Sequence, residues 1–193
     1  RFATCFLVPD MHTVTFKNVY VQARSTVVGP LEKEGPLGSL FDKSYADAYC
    51  GESSFEKAER VLLADAVDLT LRKAGKGVSD IDLLVGGDLI NQLTSSHYFA
   101  KDLEVPFLGM YGACSTSSLV IGNGSVWVEH ELAKQVLAFT SSHVATAERQ
   151  FRFPNEYGIQ KKETTTSTVT GAGAVLLSNQ KSNIRVTAFT PGR

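Results

Sequence analysis

A chain of 193 residues, 43% hydrophobic and 20% charged, is long enough to bury one sizeable core and has the make-up of an ordinary globular protein, which excludes a disordered chain. Lys and Arg together number 19 against 20 Asp and Glu, so there is no basic excess to neutralise phosphates, and nucleic acid is excluded as a partner. Cys5, Cys50 and Cys114 are widely separated, with no C-x-x-C pair and no neighbouring His repeat, which fits a reducing compartment and gives no expectation of a metal or a cofactor.

The longest apolar stretches, such as Val61–Leu71, are interrupted by carboxylates, and "RFATCFLVPD" at the start has no signal-peptide apolar region. No membrane span is expected in this chain. It begins at Arg1 and ends in "AFTPGR", which suggests a processed chain or a fragment.

In chain order, the first expected element is a strand over Asn18–Gly29, rich in β-branched residues and stopped by Gly29-Pro30. The next stretch, residues 30–52, has Pro30, Gly35-Pro36, Gly38 and Gly51 with little periodicity, and reads as a covering loop. Ser53 with Glu56 forms a capping-box pattern, and Phe55, Ala58, Leu62, Ala66 and Leu69 mark one face of a helix that runs to Gly75. "DIDLLVGGD" is apolar through its centre, as in a parallel strand buried on both faces.

A short helix is expected over "TSSHYFAKDL", and Pro106 then opens a buried strand, "PFLGMY". "TSSLVIGNGSVWVEHELA" is expected to be helical; each of Gly122 and Gly124 costs such a helix about 1 kcal/mol, which implies close backbone packing. "KQVLAFTSS" is the next strand, and the segments 166–178 and 183–189 read as a closing pair around a turn at Asn179–Asn183. Strands alternating with helices make the chain α/β with a mainly parallel sheet.

The segment "YGACSTSS" places Cys114 between a buried strand and a helix, at the carboxyl end of the sheet where such folds hold ligands. At a helix start, free N–H groups favour a thiolate or an anion beside it and can form an oxyanion hole. Cys114 is thus a nucleophile, a ligand anchor or a small buried side chain.

These residues carry a resemblance. "GACSTSS" after a buried strand resembles the nucleophile segment of the thiolase and ketoacyl-synthase superfamily. More narrowly, "GPLEKEGPLGSLFDKSY", "GDLINQ", "PFLGMYGACSTS", "TSSHVATAERQFRFPNEYG" and "TSTVTGAGAVLLS" resemble the stage V sporulation protein AD family of spore-forming bacteria, from Val19 to Arg193. Residues 1–18 lie outside the resemblance and read as an N-terminal extension; over 19–193 it implies the N-terminal half of an α/β, layered thiolase-like fold built from two similar halves, this half being a mainly parallel five-stranded sheet with helices on both faces.

It further implies non-enzymatic binding of dipicolinate (pyridine-2,6-dicarboxylate) as its calcium chelate, for uptake into the developing spore. The expected partners are other stage V sporulation membrane proteins, and the expected place is peripheral, on the cytoplasmic face of the spore inner membrane. The superfamily's own chemistry, acyl transfer with Cys114 as nucleophile, is the alternative, and an assembly scaffold a third. The glycine-bearing helix would pack against its counterpart in a second half-domain. Without that half its face is expected to be an apolar patch, covered in a homodimer.

A flat dianion calls for guanidinium or N–H donors and an apolar slot. Cys114 and Ser115 supply one part. His143, just past a strand end, is a candidate carboxylate donor or a histidine satisfied by loop carbonyls. Arg149 and Arg152 either clamp carboxylates or tie down a loop, with Arg149 the closer to the strand end. Asp88 and Asn91 either border the same crevice or serve as turn and cap residues. Gly171 and Gly173 do not complete a phosphate-binding pattern, and close strand approach explains them better.

Overall fold

The computed structural model describes residues 12–151 and 167–191. The elements are β1 (Val14–Thr15), β2 (Tyr20–Val28), α1 (Pro30–Glu34), β3 (Lys43–Ser44), α2 (Phe55–Ala74), β4 (Leu83–Asp88), α3 (Thr94–Lys101), β5 (Phe107–Gly109), α4 (Thr116–Glu129), β6 (Gln135–Ser142), α5 (Val144–Phe151), β7 (Gly171–Ser178) and β8 (Ala188–Phe189).

The main sheet has six strands in the order β3-β2-β7-β6-β4-β5. Strands β4, β5 and β6 run parallel, as does β3 beside β2, whereas β7 is antiparallel to both of its neighbours. The sheet is therefore mixed, with one strand more than expected. The sixth is the two-residue β3, which forms inside the loop read as a cover. The reversal has a simple geometric cause: Ser142, the last residue of β6, is paired with Gly171, the first of β7. The chain re-enters the sheet at the end where it left, with no crossover to the opposite end.

The expected closing hairpin does not form, because both edges of β7 are already occupied by β2 and β6. Residues 184–189 instead run back along the N-terminal segment: Val186 N–H donates to Val19 O (3.0 Å), and β8 pairs with β1. Phe16 and Val19 are thereby buried.

Helix α2 is capped one residue later than the capping-box pattern suggests. Ser54 accepts from Lys57 N–H at 3.3 Å, and Gly75 ends the helix at φ +64°, a conformation glycine adopts without steric cost. Its buried face, Ala58, Leu62, Leu63, Ala66 and Val67, packs with Val27, Leu137, Phe139 and Leu176 of the sheet. Fully burying each leucine contributes about 1.5–3 kcal/mol.

Helix α4 covers the other face of the sheet, against Val85, Val136, Ala138 and Leu177. A Cβ on Gly122 would lie 2.3 Å from the Phe189 ring, and one on Gly124 would lie 3.1 Å from Leu177 and Val136. The close packing expected of the two glycines is real, but its partner is the chain's own sheet. No large apolar side chain of α4 is exposed. The apolar surface expected on this helix is reduced to the half-buried Ile121, Val126 and Trp127, since its own sheet and β8 cover the rest.

What α4 leaves open is the part of that face formed by β2 and β7. Strand alternation turns Ser25 of β2 toward α2, where its hydroxyl donates to Ala66 O and lies 2.7 Å from Thr70 Oγ1. Arg24, Thr26 and Val28 consequently face the α4 side.

A cleft at the carboxyl end of the sheet

The turn that carries Cys114 is built from tight local bonds. Residues Ala113–Ser115 form a single 3-10 turn directly ahead of α4, with Ala113 in the left-handed region at φ +47°. Gly112 N–H donates to Thr116 Oγ1 (3.1 Å), and that hydroxyl donates to Ala113 O (2.8 Å). Beneath the turn, Gly87 of β4 leaves room for the Met110 carbonyl, which a Cβ there would meet at 1.9 Å. The outcome is an exposed Cys114 thiol at the mouth of a cleft.

The cleft encloses about 550 Å³. Its floor is the α4-side face of the sheet: Thr26 and Val28 of β2, Thr140 and Ser142 of β6, and Gly171 and Gly173 of β7. Cys114 and Ser117 stand on one side, Phe41 and Leu89 come from loops, and Ser167, Thr168 and Val169 close the far wall. Its surface is mostly apolar, with serine and threonine side chains set into it. Among the described residues that line it there is no Asp, Glu, His, Lys or Arg.

The candidate residues are only partly brought together. Cys114 lines the cleft; Ser115 does not, and its hydroxyl donates to Gly112 O at 2.7 Å within the turn. Asn91 is exposed beyond β4, its backbone N–H donating to Gln150 Oε1 at 3.2 Å, while Leu89 of the same loop reaches the cleft. Arg149 turns outward along α5 and pairs with Glu56 on the surface. Arg152 lies outside the described residues.

His143 is completely buried, and both ring nitrogens are occupied. Nδ1 accepts from Ala145 N–H (3.1 Å), so Nε2 carries the proton and donates to Ala48 O at 2.8 Å. Burial holds its pKa below the usual imidazole value, and Phe55 packs at 4.9 Å between ring centroids. The side chain pins loop 45–52 to the start of α5; neither nitrogen faces the cleft.

Asp88 is likewise fully buried, and it accepts from Ser95 N–H (2.7 Å), Ser96 N–H (2.8 Å) and the Ser96 hydroxyl. It thus caps the first turn of α3, whose flanking Leu93 cannot, since an apolar side chain accepts no hydrogen bond. Glu59 of α2 shares this buried region. It accepts from Ser141 Oγ (2.9 Å) and Thr146 Oγ1 (3.1 Å), and burial, with Asp88 nearby, pushes its pKa up to about 7. Ser141 is the link between this acidic pair and the cleft wall.

The residues that sequence reading missed are Thr26, Thr140, Ser142 and Ser117. Strand alternation in "ARSTVV" and "AFTSS" was the available signal, but which face stays open depends on where α4 lies.

The fold is thiolase-like. It superposes with a TM-score of 0.54 on 3-oxoacyl-[acyl-carrier-protein] synthase III of Aquifex aeolicus, at 14% identity over 86% of this chain and 54% of that one. The corresponding synthase III of Xanthomonas oryzae pv. oryzae gives 0.53 at 18% identity, covering 86% and 57% of the two chains. A fungal type III polyketide synthase gives 0.56 at 12%, over 84% and 56%. In sequence, 175 residues, or 91% of this chain, are 51% identical to stage V sporulation protein AD of Bacillus subtilis (strain 168). The chain spans 52% of that relative's length. Residues 10–193 match the family profile of stage V sporulation protein AD, and the chain belongs to that family of sporulation proteins.

Proposed function

We propose that the chain binds dipicolinate in the cleft beside Cys114, without turning it over, and so serves its uptake into the developing spore. The observation that carries this reading is a roomy cleft of apolar surface and hydroxyl side chains with an exposed thiol beside it. Binding a flat aromatic acid needs hydroxyl donors and apolar walls, both of which are present. The identity of the ligand rests on family membership, with which dipicolinate is associated, and the calcium chelate is the form proposed.

No helix among the described residues is long and apolar enough to cross a membrane. Peripheral attachment at the spore inner membrane, through other stage V sporulation proteins, accords with that. A second half-domain or a homodimer partner would complete the walls.

Calorimetric titration of the intact protein with dipicolinate is the test. Saturable binding is expected, and Cys114→Ala should weaken it by only about threefold, the loss of one neutral contact worth under about 1 kcal/mol. No heat above dilution in the unmutated protein would reject the reading. Incubation with acyl-CoA should leave the intact mass unchanged; an acyl adduct on Cys114 would replace binding with acyl transfer as the function.

A further inference from the structure

Glu59 and Asp88 are two fully buried carboxyl groups on the α2 side of the sheet, the face that α2 and α3 already cover. Among the described residues no Lys, Arg or His nitrogen lies within 4.0 Å of either. Burial disfavours the charge of both, and two unpaired anions in one dry region repel each other, so one of the two keeps a proton. Hydrogen-bond counting says which. Asp88 accepts from two backbone N–H groups, which can only donate, and from the Ser96 hydroxyl. Glu59 is held by hydroxyls, Ser141 at 2.9 Å and Thr146 at 3.1 Å, and a hydroxyl can reverse.

Thr146 Oγ1 has a second acceptor in reach, His143 O at 3.0 Å. With Glu59 ionised, Ser141 and Thr146 both donate to it. With Glu59 protonated, its O–H donates to Thr146 Oγ1, whose own proton turns to His143 O, and all three groups stay paired. Glu59 thus has two satisfied states where Asp88 has one. Both hydroxyls stand on elements that build the cleft: Ser141 lies in β6 between Thr140 and Ser142, and Thr146 is on α5, whose Glu148 holds the Thr168 hydroxyl of the far wall at 2.5 Å. The other titratable groups nearby are occupied. His97 favours the charge of Asp88, His143 donates to Ala48 O, Glu56 pairs with Arg149 at the surface, and β7 carries no titratable side chain.

We propose that Glu59 makes the cleft proton-linked: an anion bound there draws a proton from solvent onto Glu59, and is held less tightly once that proton leaves. The coupling is mutual, since a negative ligand disfavours a carboxylate behind the wall as much as the carboxylate disfavours the ligand. This rests on the dipicolinate-binding reading and adds its regulation by pH.

The experiment is calorimetry of the intact protein with calcium-free dipicolinate at pH 6, 7 and 8, for the parent, Glu59→Gln and Ser141→Ala. Parent affinity should fall by about fivefold from pH 6 to pH 8, and at pH 7 its binding heat should differ between phosphate and Tris buffers, the mark of proton uptake. Glu59→Gln, which mimics the protonated acid, should keep its pH 6 affinity at pH 8. Ser141→Ala removes a donor to the ionised form and should postpone the fall, leaving less than about a twofold change by pH 8. Parent affinity and heat that ignore pH and buffer overturn the inference and leave the binding reading standing. A parent-like fall in Glu59→Gln also overturns it, because another group then carries the proton, and so does a parent-like fall in Ser141→Ala, which decides if Glu59→Gln does not fold. No binding by the parent at any of these pH values removes the reading and the inference together.

Discussion

Replacing Glu59 by glutamine is expected to raise stability at pH 8 by about 2–3 kcal/mol and to flatten its dependence on pH between 5 and 8. The side chain is 1% exposed, and its pKa of about 7 lies above the ordinary 4.5 because burial and the Asp88 charge disfavour ionisation. Between those two values the folded protein keeps a proton that the unfolded chain has released. The stability linked to that proton is fully present below about pH 4.5 and is lost as pH rises through about 7.

Glutamine mimics the protonated acid: its carbonyl accepts from one of Ser141 and Thr146, and its amide donates where the acid proton did. His143 acts in the opposite sense. Its depressed pKa means that the folded state resists protonation, so its contribution is lost as pH falls below the ordinary 6.5. The difference between parent and variant cancels His143 and isolates Glu59. Urea unfolding of both proteins at pH 5, 6, 7 and 8 checks this; parallel curves across the whole range would contradict it.

The second large effect is expected at Asp88. Removing its carboxylate in Asp88→Ala strands the Ser95 and Ser96 N–H groups and the Ser96 hydroxyl in a region without water access. Buried donors left unpaired cost about 1–3 kcal/mol each. Part of that is offset, because the burial that raises the Asp88 pKa is relieved and one source of repulsion on Glu59 disappears. A net loss of about 3 kcal/mol is expected, with Asp88→Asn losing about half as much because it keeps one acceptor. Denaturant unfolding gives the answer directly. An Asp88→Ala protein within about 0.5 kcal/mol of the parent would mean that α3 finds another cap.

Both positions show where the sequence is readable and where it is not. Helix α2 is legible because Ala58, Leu62 and Ala66 repeat at helical spacing between a serine cap and Gly75. The turn at Cys114 is legible because an apolar strand, a run of small residues and a new helical period follow one another. Strand direction is not. "GAGAVLLS" has the same apolar run whether it lies parallel or antiparallel, and only the pairing of Gly171 with Ser142 decides.

The site divides in the same way. Asp88 and His143 stand at strand ends, but chain position does not say to which side a side chain turns, and both turn into the core. Arg149 follows α5 outward to Glu56 because helical geometry, not nearness to β6, fixes its direction. Thr26 joins the cleft only because β2 lies next to β7 on a face that α4 leaves open, a long-range fact with no local signal.

The claim on which the functional account depends is that the ligand sits against Cys114, and the rate at which that thiol is alkylated reports on it directly. Iodoacetamide should label the exposed Cys114 quickly and spare the buried Cys50, whose thiol burial pushes up to about 11, with peptide mass mapping assigning each site. Saturating dipicolinate is predicted to slow labelling of Cys114 by about tenfold or more. An unchanged rate in the presence of ligand that demonstrably binds would put the site elsewhere on the molecule and contradict the account.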